Sequence, residues 1–310
     1  SLGLVGSEMC IRDSLSPEPP PPPAEDFLVG QWTFNGVEAL VDKTGNWGEI
    51  ELKGARFVDG QLDLGPGKLA LAADYTGPEI REKTLVAWVR MQNLDVRAGG
   101  PLGISHPARD QFDAICWAER VPNRWMPGST GFWRPQDIMK FDETVLSPEL
   151  LQIAISYSDN DEDGQVEVSL FRNGEFLGSY EKGAIPTWVE GEAQALFGPR
   201  AYNGNNPSGA IDALVDEARI YNAALTQTNI KELSPVPNAP APDEYLVGHW
   251  TFNSGEELTD STGNWADIEL KGATVVDGQL DLSPGKYAVA KDYDGPEIAE
   301  KTLVAWVRMQ

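Results

Sequence analysis

The amino-acid sequence predicts an all-β protein, an antiparallel β-sandwich of the jelly-roll type with short helical turns only. Three observations predict this fold. Short apolar segments alternate with polar residues at a period of two, Gly and Pro residues separate these segments at close intervals, and helical periodicity is scarce. Many short strands with Gly and Pro turns between them are typical of sandwiches and barrels.

The clearest strand-like segments are residues 68–72, 84–90, 152–157 and 165–172. Two helical turns are predicted, at residues 78–83 and 226–233. In the second turn Thr226 can cap the first turn of the helix, and the apolar side chains that follow can pack against the sheet. Trp32, Trp47 and Trp88 lie in strand-like sequence and are predicted to be core residues rather than ligand-stacking residues.

A long repeat organises the chain. The sequence of residues 28–92 is repeated in residues 246–310, and the two copies align at a constant offset of 218 residues without a gap. A repeat of this kind predicts tandem structural units, and about 200 residues is an ordinary size for one all-β domain. Because Gln310 matches Gln92, inside a predicted strand, we expect one complete domain followed by the N-terminal third of a second.

The domain plan follows from the repeat and from two Pro-rich segments. Residues 1–25 are predicted to be a disordered leader, in part non-native, that ends in a Pro-rich spacer. Residues 26–233 form the complete domain, residues 234–243 a Pro-rich linker, and residues 244–310 the truncated second domain. Pro-rich segments favour extended polyproline II conformations and act as semi-rigid spacers.

Composition excludes several classes of function. Lys and Arg total 24 against 48 Asp and Glu, a net charge of −24, so the chain repels phosphate backbones and no nucleic-acid partner is expected. No segment approaches the ~20 apolar residues of a membrane span, so no membrane insertion is expected. His106 and His249 are the only histidines, which argues against a His-based metal site or catalytic triad. Cys10 and Cys116 allow no disulfide within the complete domain.

An ordered series of motifs carries a family resemblance. Residues 28–35 read Leu-Val-Gly-x-Trp-x-Phe-Asn, residues 58–64 Val-Asp-Gly-x-Leu-Asp-Leu, and residues 84–89 Thr-Leu-Val-Ala-Trp-Val. Later motifs are Leu-Phe-Arg-Asn-Gly from residue 170 and Val-Asp-Glu-Ala-Arg-Ile-Tyr from residue 215. From about Leu28 to Leu233 the chain resembles the laminin-G-like, concanavalin A-like lectin/glucanase domains. The resemblance implies a jelly-roll fold, but this fold hosts lectins, carbohydrate-binding modules, adhesive modules and glycosidases, so it does not decide function.

The enzymatic members of this fold set a clear test. Glycosidases of the family resemble one another in a Glu-x-Asp-x-x-Glu strand, in which carboxylates on one face act as nucleophile and acid/base. No Glu is followed at two residues by Asp anywhere in this chain, and Asp216 and Glu217 alternate across their strand. The sequence therefore predicts no enzymatic activity within these 310 residues.

Aromatic and Arg residues between positions 112 and 137 suggest a binding surface. The ligand-binding candidates are Trp117, Arg120, Arg124, Trp125, Trp133 and Arg134. Planar rings stack on apolar sugar faces, and guanidinium groups donate paired hydrogen bonds to hydroxyls or carboxylates. The alternative is that the rings cover the core beneath a long loop, with Arg side chains stacked on Trp.

Two carboxylates are candidates for a structural Ca²⁺ ion. Asp216 alternates in phase with Ala218 and Ile220, so it is expected to point inward, where a carboxylate needs a partner or a cation. A Ca²⁺ ion shared with Asp42, which lies in a turn, would satisfy it, as jelly-roll modules of the family often hold a structural ion. The alternative is a hydrogen-bonded Asp without a metal.

The sequence as a whole predicts a noncatalytic carbohydrate- or matrix-binding module of a larger secreted or cell-surface protein. The expected partners are a glycan or extracellular-matrix ligand and further domains of the same polypeptide. One alternative is a purely structural spacer repeat in an adhesin-like protein. Another is an accessory module of an enzyme whose catalytic domain lies outside these residues.

Overall fold

The computed structural model describes residues 22–35, 39–130, 141–160, 165–204, 206–236, 246–252, 258–298, 301, 303–305 and 307–308. The chain divides into two compact units, residues 1–239 and residues 240–310. Strands make up most of the regular structure, so the predicted all-β class is confirmed. In the described part of the chain, no helix has the length and apolarity that a membrane span needs.

The first unit contains sixteen strands, a 3-10 turn and one α-helix among its described residues. Its strands are β1 Leu28–Trp32, β2 Ile50–Lys53, β3 Arg56–Val58, β4 Gln61–Leu64, β5 Leu69–Ala72, β6 Lys83–Asn93, β7 Gly99–Ser105, β8 Phe112–Trp117, β9 Trp125–Ser129, β10 Leu151–Asn160, β11 Gln165–Arg172, β12 Glu175–Lys182, β13 Gln194–Pro199, β14 Ala201–Tyr202, β15 Pro207–Ser208 and β16 Asp212–Tyr221. The 3-10 turn is Ala24–Phe27 and the helix α1 is Gln227–Glu232.

Two antiparallel sheets form a jelly-roll-like β-sandwich. The first has the order β12-β11-β10-β6-β16-β4-β3, and β1 pairs with the C-terminal half of β16. The second has the order β2-β5-β13-β7-β8-β9. The long strands β6 and β16 lie at the centre of the first sheet, and strands from the start and end of the domain are neighbours, as in β1 with β16.

The main core lies between the two sheets. Trp32 and Trp47 are buried there, which confirms the prediction for these two residues, and Phe34 and Leu85 are buried beside them. On β6 the core residues alternate, because successive side chains of a strand point to opposite faces of a sheet. The β6 side chains on the opposite face, which include Trp88, belong to a second hydrophobic cluster.

This second cluster lies on the outer face of the first sheet. Its largest members are Trp88, Phe171 and Tyr221, and Ile230 of α1 packs against them. Thr226 caps α1 as predicted: its hydroxyl oxygen accepts a hydrogen bond from the Asn229 amide at 3.2 Å. The outer face of the sheet is therefore covered by elements at the two ends of the domain.

The prediction of a helical turn at residues 78–83 is wrong. Ile80 exchanges two backbone hydrogen bonds with Trp188, at 2.8 and 2.9 Å, and forms an isolated antiparallel bridge. Strand β6 already begins at Lys83. The segment is therefore extended, because a partner more than one hundred residues away supplies the hydrogen bonds that a helical turn would have supplied locally.

The second unit repeats only the local part of this structure. Its strands form two antiparallel pairs, β17 Glu269–Lys271 with β20 Tyr287–Val289, and β18 Thr274–Val276 with β19 Gln279–Asp281. The counterpart of β6 is exposed: Leu303 is 90 % exposed, whereas Leu85 of the first unit is 0 % exposed.

Candidate functional site

Trp117 and Trp125, two of the predicted ligand-binding residues, are core residues. They face each other on the paired strands β8 and β9, with ring centroids 4.8 Å apart. Their side chains are 0 % and 1 % exposed. Neither ring can stack on a ligand at the surface, which corrects their proposed role and agrees with the alternative that the aromatic residues cover the core.

A buried carboxylate fixes the loop that follows. Glu143, which is 0 % exposed, accepts hydrogen bonds from the Trp125 indole at 3.3 Å and from the backbone amides of Thr144 and Val145. Arg172, at the end of β11, donates two hydrogen bonds to it, at 2.7 and 3.1 Å. Breaking a buried pair of this kind costs about 3–5 kcal/mol, so this contact holds the loop firmly in place.

Phe141 is an exposed aromatic residue in the loop that Glu143 and Arg172 hold in place. The Arg172 guanidinium lies 4.7 Å from the centre of its ring, while 39 % of the residue remains exposed to solvent. Beside it, Arg124 donates a 2.6 Å hydrogen bond to the exposed carboxylate of Asp142. We call Phe141, Arg172, Arg124 and Asp142 the Phe141 surface.

The other predicted ligand-binding residues differ in their positions. Arg120 is exposed in the loop between β8 and β9, three residues before the Asn123 carbonyl that accepts the Glu143 amide. Arg124 belongs to the Phe141 surface. Trp133 and Arg134 lie outside the described residues. The structure thus brings one predicted residue, Arg124, into the surface patch and places Arg120 in the same loop.

The Phe141 surface has the chemistry of a sugar-binding platform. One face of an exposed ring can stack on the apolar face of a pyranose, and the neighbouring carboxylate and guanidinium can accept and donate hydrogen bonds to hydroxyl groups. The pair between Arg124 and Asp142 contributes under about 1 kcal/mol because it is exposed, so a ligand can compete for both groups.

Asp42, one of the two proposed metal ligands, closes a turn. Its Oδ1 atom accepts hydrogen bonds from the amides of Gln31 and Thr44, at 2.8 and 3.1 Å. Its Oδ2 atom accepts hydrogen bonds from the Thr44 hydroxyl and from the amides of Asn46 and Trp47, at 2.6 to 3.2 Å. Both carboxylate oxygens are therefore surrounded by protein donors.

Asp216, the other proposed metal ligand, does not point into the core. The register of β16 shifts between Val215 and Glu217, so Asp216 is the extra residue of a β-bulge. The bulge reverses the alternation, and Val215 and Ala218 are core residues on either side of it. Asp216 is buried among polar groups, where Gln61 and Arg90 donate hydrogen bonds to it at 2.7 and 2.8 Å.

These two environments do not fit a Ca²⁺ ion. Ca²⁺ takes six to eight oxygen ligands, whereas the groups around Asp42 are N–H and O–H donors and Arg90 already brings a cation to Asp216. Within the described ranges, no cluster of three or more His, Cys, Asp or Glu side chains could hold a metal. Asp42 and Asp216 are therefore hydrogen-bonded structural carboxylates, which was the alternative to a shared Ca²⁺ ion.

Sequence reasoning missed Phe141, Glu143 and Arg172. Phe141 lies four residues beyond the aromatic and Arg segment, and no periodic pattern surrounds it. Glu143 resembles an ordinary surface residue in the sequence, because only its pairing with Arg172, twenty-nine positions later, makes burial possible. A polar loop immediately after an aromatic and Arg segment is the one signal that could have pointed to it.

No family model matches the chain, and no curated protein matches it. Solved structures whose chain trace is similar to that of this protein include domain 4 of AbnA, a GH43 extracellular arabinanase from Geobacillus stearothermophilus, in complex with arabinotriose. This domain is 18 % identical, with a TM-score of 0.48 over 66 % of this chain and 97 % of that chain.

Two other similar structures are larger proteins. Trypanosoma rangeli sialidase in complex with sialic acid is 16 % identical, with a TM-score of 0.46 over 66 % of this chain and 32 % of that chain. The botulinum neurotoxin serotype D binding domain is 14 % identical, with a TM-score of 0.45 over 67 % of this chain and 51 % of that chain. This chain therefore spans about half or less of their length, and similarity at this level supports no inference on ligand or activity.

Proposed function

We propose that residues 26–233 are a noncatalytic, laminin-G-like module that binds a glycan of the cell surface or extracellular matrix, within a larger extracellular protein. The observation that carries this proposal is Phe141, a large aromatic residue held 39 % exposed on a loop that Glu143 and Arg172 fix from below. An exposed ring of this kind can stack on the apolar face of a sugar. A fixed ring also loses little conformational entropy when a ligand stacks on it.

The proposal predicts that the full chain binds a polysaccharide and that Phe141→Ala weakens binding about tenfold or more, the effect of removing a central aromatic contact. Binding is measured by screening soluble glycans on an array and insoluble polysaccharides by pull-down, followed by titration calorimetry of each hit. Arg124→Ala is expected to weaken binding by a smaller factor, because its guanidinium is one of three charged groups on the Phe141 surface.

Phe176→Ala is the matched control. Phe176 is 49 % exposed and packs against Phe171 of the outer cluster, on the other face of the sheet. This variant removes a ring of the same type and similar exposure, so its binding should equal that of the parent. Equal loss in both variants would point to a general destabilisation, and unchanged binding in Phe141→Ala would place the site elsewhere.

A spacer role is the second candidate, and one observation favours it. Glu217, which is 0 % exposed, accepts hydrogen bonds from Gln31 of β1 and from the Val236 amide, at 2.7 and 2.5 Å. Arg219 donates to the Ser234 carbonyl at 2.8 Å. The start of the Pro-rich linker is thus tied to the sheet, as suits a module that transmits tension. Absence of binding to any glycan in the screen would favour this role.

A further inference from the structure

A fully buried ion pair connects the two sheets. Lys83, at the start of β6, and Asp113, on β8, are both 0 % exposed, and Lys83 Nζ lies 3.0 Å from Asp113 Oδ2. The two residues belong to different sheets and are thirty positions apart.

The side chains around the pair are buried, and two of them are aromatic. Tyr157, which is 0 % exposed, lies beneath the Lys83 amine, with its ring centre 5.4 Å away. Trp188 is 1 % exposed and donates its indole N–H to Asp113 Oδ2 at 3.0 Å. Taking two charges out of water costs several kcal/mol per ion, so the buried pair carries a large desolvation cost. Burial lowers the pKa of Lys83, although the Asp113 carboxylate beside it opposes this shift.

The carboxyl group of Asp113 is held for attack by a nucleophile. Ser129 donates its hydroxyl proton to Oδ1 at 2.5 Å, and the Trp188 indole donates to Oδ2. Donors on both oxygens stabilise the negative charge that develops when a nucleophile adds to a carboxyl carbon. The Lys83 amine is held in place by a second hydrogen bond, to the Pro186 carbonyl at 2.8 Å.

We propose that Lys83 and Asp113 condense into an intramolecular isopeptide bond that joins the two sheets covalently. The Lys83 ammonium first passes one proton to the Asp113 carboxylate, which leaves an amine and a carboxylic acid. The amine lone pair then forms a bond to Asp113 Cγ. The bond between Cγ and the hydroxyl oxygen breaks, and the hydroxyl leaves with one amine proton as water. No oxidant, reductant or further reactant takes part.

The balance of the reaction favours the bond at this position. Reactive groups that are held in contact behave as if present at about 10⁵ M or more, which outweighs the concentration of water that reverses the step. The site also excludes water, because the side chains around the pair are buried. The product replaces a buried ion pair by a neutral amide, and this removes the desolvation cost of the two charges.

The competing explanation is an ion pair that remains an ion pair and fixes the relative position of the sheets. The decisive measurement is the intact mass of the full chain, freshly purified and denatured. An isopeptide bond lowers the mass by one water. Proteolysis should then yield one branched peptide that joins the segments around Lys83 and Asp113, identified by fragmentation. A mass equal to that of the sequence overturns the proposal.

Two variants provide the controls. Lys301 is the counterpart of Lys83 in the repeat and is exposed, so Lys301→Met should retain the loss of one water. Lys83→Met removes the amine and should restore the full mass. The measurement on the parent does not depend on how well Lys83→Met folds.

A succinimide at an Asp-Gly sequence such as Asp59-Gly60 would also lower the mass by one water. Fragmentation separates the two products, because a succinimide lies within one linear peptide. Loss of water located there, or retained in Lys83→Met, overturns the proposal.

Discussion

The two copies of the repeat show how much of this structure is local. Residues 28–92 and 246–310 differ at 16 of 65 aligned positions. None of the differences falls on a residue that the first copy contributes to the main core, and these core residues are Val29, Trp32, Phe34, Trp47, Ile50, Ala55, Leu62, Leu64, Ala70, Ala72, Tyr75, Ile80, Leu85, Ala87, Val89 and Met91. The copies nevertheless reach different structures.

The features that both copies share are formed within the copy. β17 pairs with β20 in the same register as β2 with β5. Asp260 closes its turn as Asp42 does, and its carboxylate accepts hydrogen bonds from the amides of His249, Thr262, Asn264 and Trp265. Gly30 is also repeated, as Gly248, and a Cβ atom at either residue would lie within 3 Å of a Trp indole nitrogen.

The features that differ depend on distant partners. β6 is paired on one side with β10 and on the other with β16, and residues 93–233 occur once in this sequence. In the second copy, the described residues between 301 and 308 belong to no strand, and Val304 and Val307 are 69 % and 79 % exposed. Their counterparts Val86 and Val89 are 0 % exposed. The same sequence is therefore a central strand only where strands from elsewhere in the chain enclose it.

The largest expected change in stability comes from a charge placed on the core face of β6. Leu85→Asp buries an unpaired carboxylate between the sheets and should lower the free energy of unfolding of the first unit by at least about 4 kcal/mol. The measurement is a guanidinium titration followed by labelling of Cys116, read on its own peptide by mass spectrometry so that Cys10 does not contribute. Cys116 is 0 % exposed on β8 and reports on the first unit alone.

Leu303→Asp is the matched change in the second copy. Leu303 is 90 % exposed, so this substitution should leave the Cys116 labelling curve unchanged within about 0.5 kcal/mol. A large effect of Leu303→Asp would mean that the second copy contributes to the stability of the first unit, and the contrast between the copies would fail.

An intermediate effect is expected at the turn that both copies share. Asp42→Ala leaves the half-buried amide of Gln31 and the buried amide of Trp47 without their acceptor and should destabilise the first unit by about 2–4 kcal/mol. In the second copy, Asp260→Ala should loosen only the local turn. Hydrogen exchange of the Trp265 amide detects that change, while Cys116 labelling stays at the parent value. Equal destabilisation of the first unit by both variants would contradict this prediction.

The smallest effect is expected where the copies differ in sequence. Gln31 donates a 2.7 Å hydrogen bond to Glu217, and the second copy has His249 at this position. Gln31→His removes one of the donors to Glu217 and should cost about 1 kcal/mol in the Cys116 titration. His249→Gln should have no effect on it, because residue 249 is exposed. If Gln31→His lowered the free energy of unfolding by more than Asp42→Ala does, β1 would be held mainly by Glu217.

Prediction from the sequence succeeded where one segment carries the whole signal. Strands β6, β10 and β11, the cap at Thr226 and the buried Trp32 all follow from patterns a few residues long. It failed at residues 78–83, which Trp188 holds extended, and at Asp216, which a bulge turns away from the core. In both places the conformation depends on a segment that is distant in sequence.

The candidate site shows the same division. The sequence directed attention to the segment from Phe112 to Asp137. Its last described strand, β9, begins at Trp125, whose indole donates a hydrogen bond to Glu143 in the loop that carries Phe141. It could not show which aromatic residues are exposed. Trp117 and Trp125 are buried because β8 and β9 turn both rings towards the other sheet, whereas Phe141 is exposed because Glu143 and Arg172 hold its loop outside the core.

The sequence by itself determined the fold class, the repeat and the burial of Trp32, Trp47 and Trp88, because alternation, turn residues and self-similarity are properties of short segments. Only the tertiary structure decided which carboxylates are buried, which ring faces solvent, and that Lys83 meets Asp113 between the sheets. These outcomes depend on side chains brought together from positions 29 to 186 residues apart, as in Glu143 with Arg172 and Gln31 with Glu217. Pairing over such separations leaves no periodic signal in the sequence.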